Sequence, residues 1–238
     1  MPDPDFPSLK ARVWNAVRTE LKNAPGCHDF AHTERVVRNA LLIAGKEHPQ
    51  NPEAVLIGAL LHDIARPEEL SSGGKLCHAA AGAKKAARVL RENGCENEAF
   101  IRTVSEIVRR HRYRGSALPQ TLEEKIVYDA DKLDSLGAFG VARAFHFAGR
   151  IGARLHNSEQ AAVRSEAYSR EDSAYREYLT KLRHLPDRML TAAGKALAVE
   201  RADFMKRFFE QLNRESVFCG EEEDGTEMNS VSVRKEKS

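Results

Sequence analysis

The 238-residue sequence is defined first by what it has little of. It holds four cysteines, Cys27, Cys77, Cys95 and Cys219, and no two form a CxxC pair. That spacing gives neither a disulfide framework nor a cysteine zinc site, and unpaired thiols in a chain of this length predict a reducing, cytoplasmic setting. No apolar run approaches the ~20 residues that span a bilayer; the longest, Ala54–Leu61, is the size of a core helix. The start, Met1-Pro2-Asp3-Pro4-Asp5, lacks the basic and apolar regions of a signal peptide, so no membrane partner is expected. Charge of one sign is lacking too: 37 Lys and Arg stand against 35 Asp and Glu, a formal net charge of +2. That balance argues against a dedicated nucleic-acid binder and against a polybasic membrane anchor. Strand-like alternation of convincing length and internal repeats are also missing.

What is present is a helical period nearly everywhere. Leu9, Val13, Ala16, Val17 and Leu21 form an amphipathic stripe that Pro25-Gly26 ends. A second helix is predicted from Phe30 to His48, buried along Val36, Val37, Ala40, Leu41 and Ala44. A third runs to His62-Asp63, with Pro67 closing it. Further helices are predicted over about 78–93, 98–111, 121–146 and 188–215. Gly94 suits a C-cap, and Gly115 with Pro119 suits a turn. Residues 156–175 are polar and read as a long loop or irregular flap. The run from 220 to 238, acidic and then basic, reads as a disordered tail. The fold class is all-α, a single helical domain over 1–219 with a motif core at about 28–135 and C-terminal helices at about 172–215. A chain of this size is long enough to bury roughly 70 % of its unfolded surface.

The chemistry lies in the placement of nine histidines. His32 opens one predicted helix, and His62-Asp63 ends a very apolar one. Asp131 lies in Asp129-Ala130-Asp131-Lys132-Leu133-Asp134, on a helix face shared with Val127, Asp134 and Ala138. Polar groups so close to apolar surface need partners. A divalent cation would satisfy two imidazoles and two carboxylates together. Mn, Fe, Co, Ni or Zn suits that donor set, with Mg also admissible. His28, four residues before His32, starts the same helix and shares its candidacy at this point. Taken one at a time, each residue is equally well read as a helix cap or a hydrogen-bonded core group.

The ordered set resembles the HD-domain metal-dependent phosphohydrolases. It reads His32-Thr33-Glu34-Arg35-Val36, then His62-Asp63, then Asp129 to Asp134. Leu136-Gly137-Ala138 and the stretch from Met189 to Arg201 extend the resemblance to the YedJ/YpgQ-type branch of that family, over roughly residues 9–215. The resemblance implies a compact HD-domain helical bundle with a central metal site, one divalent metal, and His32, His62, Asp63 and Asp131 as its ligands. His28 then becomes a supporting or capping residue. It also implies a hydrolase that cleaves a phosphoester or phosphoanhydride of a small nucleotide or other phosphorylated metabolite. Nucleoside triphosphate to monophosphate plus pyrophosphate is the specific expectation, and the alternatives are a nucleotide monophosphatase or a metal- or nucleotide-binding regulatory module without turnover.

Phosphate chemistry also needs cations near the anion. Arg35, Lys132 and the cluster from Arg109 to Arg114 are candidates. The cluster otherwise reads as a solvated helix end, and a nucleic-acid patch is the weakest reading because it is short and the chain is balanced in charge. His78 and His111 read as buried histidines or substrate contacts; in some two-metal relatives, histidines in comparable places hold a second ion. Asp134 and His111 are the candidates for general acid or base. The doublet continues Ile64-Ala65-Arg66-Pro67-Glu68-Glu69, which departs from the acidic pattern of the alarmone-cleaving relatives.

Overall fold

In a computed structural model the described residues are 5–22, 24, 27–112 and 117–216. They form α1 (Phe6–Glu20), α2 (Phe30–Glu47), α3 (Pro52–Leu61), α4 (Arg66–Ser71), α5 (His78–Glu92) and α6 (Glu98–Arg110). After these come α7 (Leu122–Leu133), α8 (Gly137–Arg150), α9 (Glu159–Arg164), α10 (Ala174–Thr180) and α11 (Ala192–Glu215). Two short 3-10 turns, Leu182–His184 and Pro186–Arg188, lead into α11, and no strand occurs among the described residues. The all-α class is therefore the observed one. No helix among these residues is long and apolar enough to cross a membrane. The tail from 220, together with Cys219, Tyr113, Arg114, Gly115 and Pro25-Gly26, lies outside the described residues.

The helix starts follow from local chemistry. Side chains of Asp29, Asn51, Asn97, Thr121 and Thr191 each accept a hydrogen bond from a backbone N–H of the turn they open. Such caps satisfy donors that a helix leaves orphaned. α3 is the pivot. Ala54, Val55, Ile57, Gly58, Ala59, Leu60 and Leu61 are all buried, so it is apolar on every side and is packed by α1, α2, α6 and α7. One buried apolar cluster runs from Leu9 in α1 to Phe209 in α11.

Five sequence expectations are corrected here, the first being Leu41, which is 46 % exposed and does not join the buried stripe of α2. The stretch 121–146 is two helices, because α7 stops at Leu133 and α8 restarts at Gly137. Gly137 has φ +70°, which a side chain would strain, and a Cβ on Gly140 would lie 2.3 Å from the Ser135 carbonyl oxygen. The chain therefore turns sharply where periodicity alone sees continuity, and Ala138 leaves the face of Asp131. Pro67 opens α4 instead of closing α3, since proline fits the first helical turn, where an N–H is dispensable. Residues 156–175 contain α9 and the start of α10. Their polar side chains satisfy one another: Ser173 Oγ donates to Asn157 Oδ1 at 2.6 Å, and Asp172 accepts from Tyr168 N at 2.7 Å. The last helix begins at Ala192, later than 188. Its cap Thr191 donates through Oγ1 to the buried Asp129 at 2.7 Å, which ties α11 to α7.

Candidate metal centre

The polar side chains converge because helix ends converge. His28 and His32 sit at the start of α2, His62 and Asp63 just past the end of α3, and Arg66 and Glu69 on the short α4. His78 opens α5, His111 follows α6, and Asp131, Lys132 and Asp134 close α7. His32 and His62 are fully buried, and Asp63, His78, His111 and Asp134 are nearly so.

The four residues predicted as ligands meet at one point. The Nε2 atoms of His32 and His62 are 3.2 Å apart. Asp63 Oδ2 is 3.7 Å from each of them, and Asp131 Oδ1 is 3.6 Å from His32 and 3.9 Å from His62. Donor atoms around a cation bound at about 2.1 Å are separated by roughly 3 to 4 Å, so the spacing suits an ion at their centre. A second group shares the same aspartate: Asp63 Oδ1 lies 3.4 Å from His78 Nε2 and 3.6 Å from His111 Nε2, which are 3.1 Å from each other.

Tautomers sharpen this picture. His62 Nδ1 donates to the Ala59 carbonyl at 2.7 Å, and a carbonyl can only accept, so His62 Nε2 presents a lone pair. His32 Nδ1 lies 2.7 Å from Asp134 Oδ2, a carboxylate held ionised by Arg35. In neutral His32 the Nε2 atom therefore also presents a lone pair. Two lone pairs facing across 3.2 Å without a hydrogen between them repel, and a cation between them removes the repulsion. The donor set fits a divalent metal.

The ionisation states agree. Burial depresses His62 to a pKa of about 3, despite the pull of Asp63 and Asp131. Burial also pushes Asp63 up, but the facing imidazoles, His62 first, and the hydrogen bond from His28 outweigh it and hold the carboxyl well below its usual range. Asp131 is lowered in the same way, burial being outweighed by Lys132, His62 and His32. Both carboxylates are anions where a metal would need them, and His62 is neutral.

The supporting residues divide. His28 Nδ1 donates to Asp63 Oδ2 at 2.8 Å while its Nε2 faces Arg66 Nη2 at 2.9 Å, so it braces the shared aspartate from outside the pair. Arg35 pairs with Asp134 and stacks over Phe139. Lys132 is largely buried, donating to Asp131 Oδ2 and the His111 carbonyl above the Tyr128 ring. Among the described residues of the arginine cluster, Arg109 and Arg110 pair with Glu106, and Arg112 reaches the centre through Glu69 at 3.2 Å. Asp134 does not fit the general-acid half of the role expected for it. Burial raises its pKa, but hydrogen bonds from His32 and Arg35 bring it down to about 2, so it holds no proton to give near neutrality. Three residues escaped the sequence reading. Arg66 and Glu69 form an i,i+3 pair beside His78. Arg143 reaches Asp134 from the next helix, and recognising the break before Gly137 would have been the signal.

Comparison with known proteins points the same way. An HD domain model matches residues 29–136, the segment that carries every residue of both groups. The uncharacterized protein YpgQ of Bacillus subtilis (strain 168) is 32 % identical over 212 residues, 86 % of this chain and 91 % of its own. The chain belongs to the HD-domain superfamily. Solved HD-type structures superpose on it closely. B. subtilis YpgQ in complex with ADP gives a TM-score of 0.69 at 29 % identity, covering 90 % of this chain and 97 % of that one. A predicted HD superfamily hydrolase from an uncultured Thermotogales bacterium gives 0.62 at 29 %, covering 86 % and 91 %. An HD-superfamily hydrolase from Bacillus thuringiensis gives 0.69 at 28 %, covering 88 % and 97 %. HD domains bind divalent metals, and the clustered donors of this chain are able to hold one.

Proposed function

We propose that this HD domain is a metal-dependent phosphohydrolase that cleaves a phosphoanhydride of a small nucleotide, with His32, His62, Asp63 and Asp131 as the ligands of one divalent cation. The facing Nε2 lone pairs of His32 and His62 carry the metal assignment. When bound, the cation would lower the pKa of a water and polarise a phosphoryl oxygen.

The charge around the ligands supports an anionic substrate. Arg35, Arg66, Arg112, Lys132 and Arg143 balance Asp29, Asp63, Glu69, Asp131 and Asp134 around the ligands. A divalent ion would add positive charge to that balance, and a phosphoanhydride would offset it. Asp131 is the ligand with the most exposed side chain, 22 % against 3 % for Asp63, so substrate would enter on its side. The complex of B. subtilis YpgQ with ADP supports a nucleoside phosphate as ligand. Hydrolysis of a nucleoside triphosphate would add water across the α–β bond, releasing monophosphate and pyrophosphate. Cys27, Cys77 and Cys95 are free thiols, which supports a reducing, cytoplasmic setting for a single-domain enzyme.

A nucleotide panel with Mn, Co, Ni and Mg tests this reading. Activity that depends on added metal and falls to background in Asp131→Ala is the expected result. Identical product from wild type and Asp131→Ala would defeat it. Release of inorganic phosphate from monophosphates would redirect it to a nucleotidase, and nucleotide binding without turnover would redirect it to a regulatory module.

A further inference from the structure

Helix α8 lies beyond the segment matched by the HD domain model, yet it sends one side chain back to the centre. Arg143 Nη1 donates to Asp134 Oδ2 at 2.6 Å, and lies 3.4 Å both from the Asp134 carbonyl oxygen and from His32 Nδ1, the nearer carboxylate taking its hydrogen. The same Asp134 Oδ2 accepts from His32 Nδ1 at 2.7 Å and from Arg35 Nη2 at 3.1 Å, while Oδ1 accepts from Arg35 Nε at 2.6 Å. Asp134 is only 2 % exposed. A buried carboxylate tends to take up a proton unless positive partners surround it. Here two guanidiniums do so, one from α2 and one from α8.

The consequence falls on His32. An ionised Asp134 can only accept, so in neutral His32 the imidazole proton stays on Nδ1 and the Nε2 lone pair faces His62. If Asp134 lost its orientation, the proton could move to Nε2. His32 would then donate to His62 Nε2 across the existing 3.2 Å and fill the position of the cation with a hydrogen bond. We propose that Arg143 is a positioning residue: acting through Asp134, and together with Arg35, it fixes the tautomer of His32 that leaves the metal position open. This rests on the metal assignment made above and adds α8 to the machinery of the centre.

Cobalt titration of the full chain tests it, read by calorimetry and by the visible cobalt spectrum across pH, with circular dichroism and Tm recorded alongside. Asp134→Asn is expected to weaken cobalt binding by about 10–100-fold, the usual cost of losing such a partner to a metal-bound histidine. Arg143→Ala is expected to weaken it by about tenfold, with Arg143→Lys between it and wild type. The pH at which cobalt is half bound should move upward in the weakened variants. Wild-type affinity, spectrum and pH profile in folded Asp134→Asn and Arg143→Ala would overturn the inference, as would a lowered Tm with unchanged cobalt binding. If Asp134→Asn does not fold, Arg143→Ala and Arg143→Lys decide it by the same criteria. A wild-type chain that binds cobalt but hydrolyses no nucleotide defeats the functional reading alone, and one that binds no cobalt defeats both.

Discussion

The two halves of the centre share Asp63 but differ in how their histidines are held. On one side, His32 is fixed by Asp134 and His62 by the Ala59 carbonyl, so both Nε2 atoms present lone pairs and Asp131 adds a second carboxylate. On the other side, His111 Nδ1 donates to the Val108 carbonyl at 2.6 Å, but His78 Nδ1 stands between an acceptor and a donor. It is 2.8 Å from Glu69 Oε2 and 3.0 Å from Arg66 Nη1. With its proton on Nε2, His78 can donate to His111 and satisfy that pair without any ion. With both rings neutral the first half has no proton to place between its Nε2 atoms and suits a cation, whereas the second has a proton to use instead and no carboxylate beyond Asp63. Similar clusters of imidazoles thus differ in metal affinity through the atoms behind the rings.

Substitutions separate the halves. The largest effect is expected for Asp63→Ala, which removes a donor from both groups and leaves His28 Nδ1 without its carboxylate. Metal content and metal-dependent hydrolysis should both fall to background, as read by elemental analysis and product assay. Retention of a full metal complement would deny the shared role of Asp63. A narrower effect is expected for His111→Ala: the chain should keep its tight metal equivalent and lose only a weaker one, seen as a single-step cobalt titration. Loss of the tight equivalent would reverse the ranking of the two halves.

How much of this was legible in the sequence depended on whether the signal was local. The order His32, His62-Asp63, Asp131 and the capped helices starting at Phe30 and Glu98 could be read directly, because caps and motif spacing act within a few residues. The break between α7 and α8 could not, since Leu136, Val141 and Ala144 continue an apolar pattern that packs equally well on a second helix. Missing that break hid Arg143 and left Asp134 looking like an available acid instead of a carboxylate already engaged by three side chains. Pro67 misled for a related reason, as proline marks a helix start as readily as an end. Asp129 looked like part of the site motif, but it caps the approach to α11 through the backbone N–H groups of Leu190 and Thr191, 61 and 62 residues away. No local pattern reports such a contact.

A smaller effect concerns pH in chelated protein. His62 titrates near 3 and His78 near 4 in the fold, both lowered chiefly by burial from an ordinary value of 6.5. The unfolded chain therefore takes up protons below about 6.5 that the folded chain refuses, so stability is full above that pH and falls as pH drops towards 4. Tm measured between pH 7.5 and 4.5 should decline on the acid side, and saturating cobalt should keep Tm higher at each pH where it is bound. A flat profile without metal would contradict the neutral, buried state of both rings.

The most direct test is a manganese or cobalt titration of the unaltered chain at neutral pH, counting equivalents and their affinities. One tight equivalent followed by a weaker second is the predicted result, the first belonging to His32, His62, Asp63 and Asp131. A chain that binds no divalent cation would contradict the account.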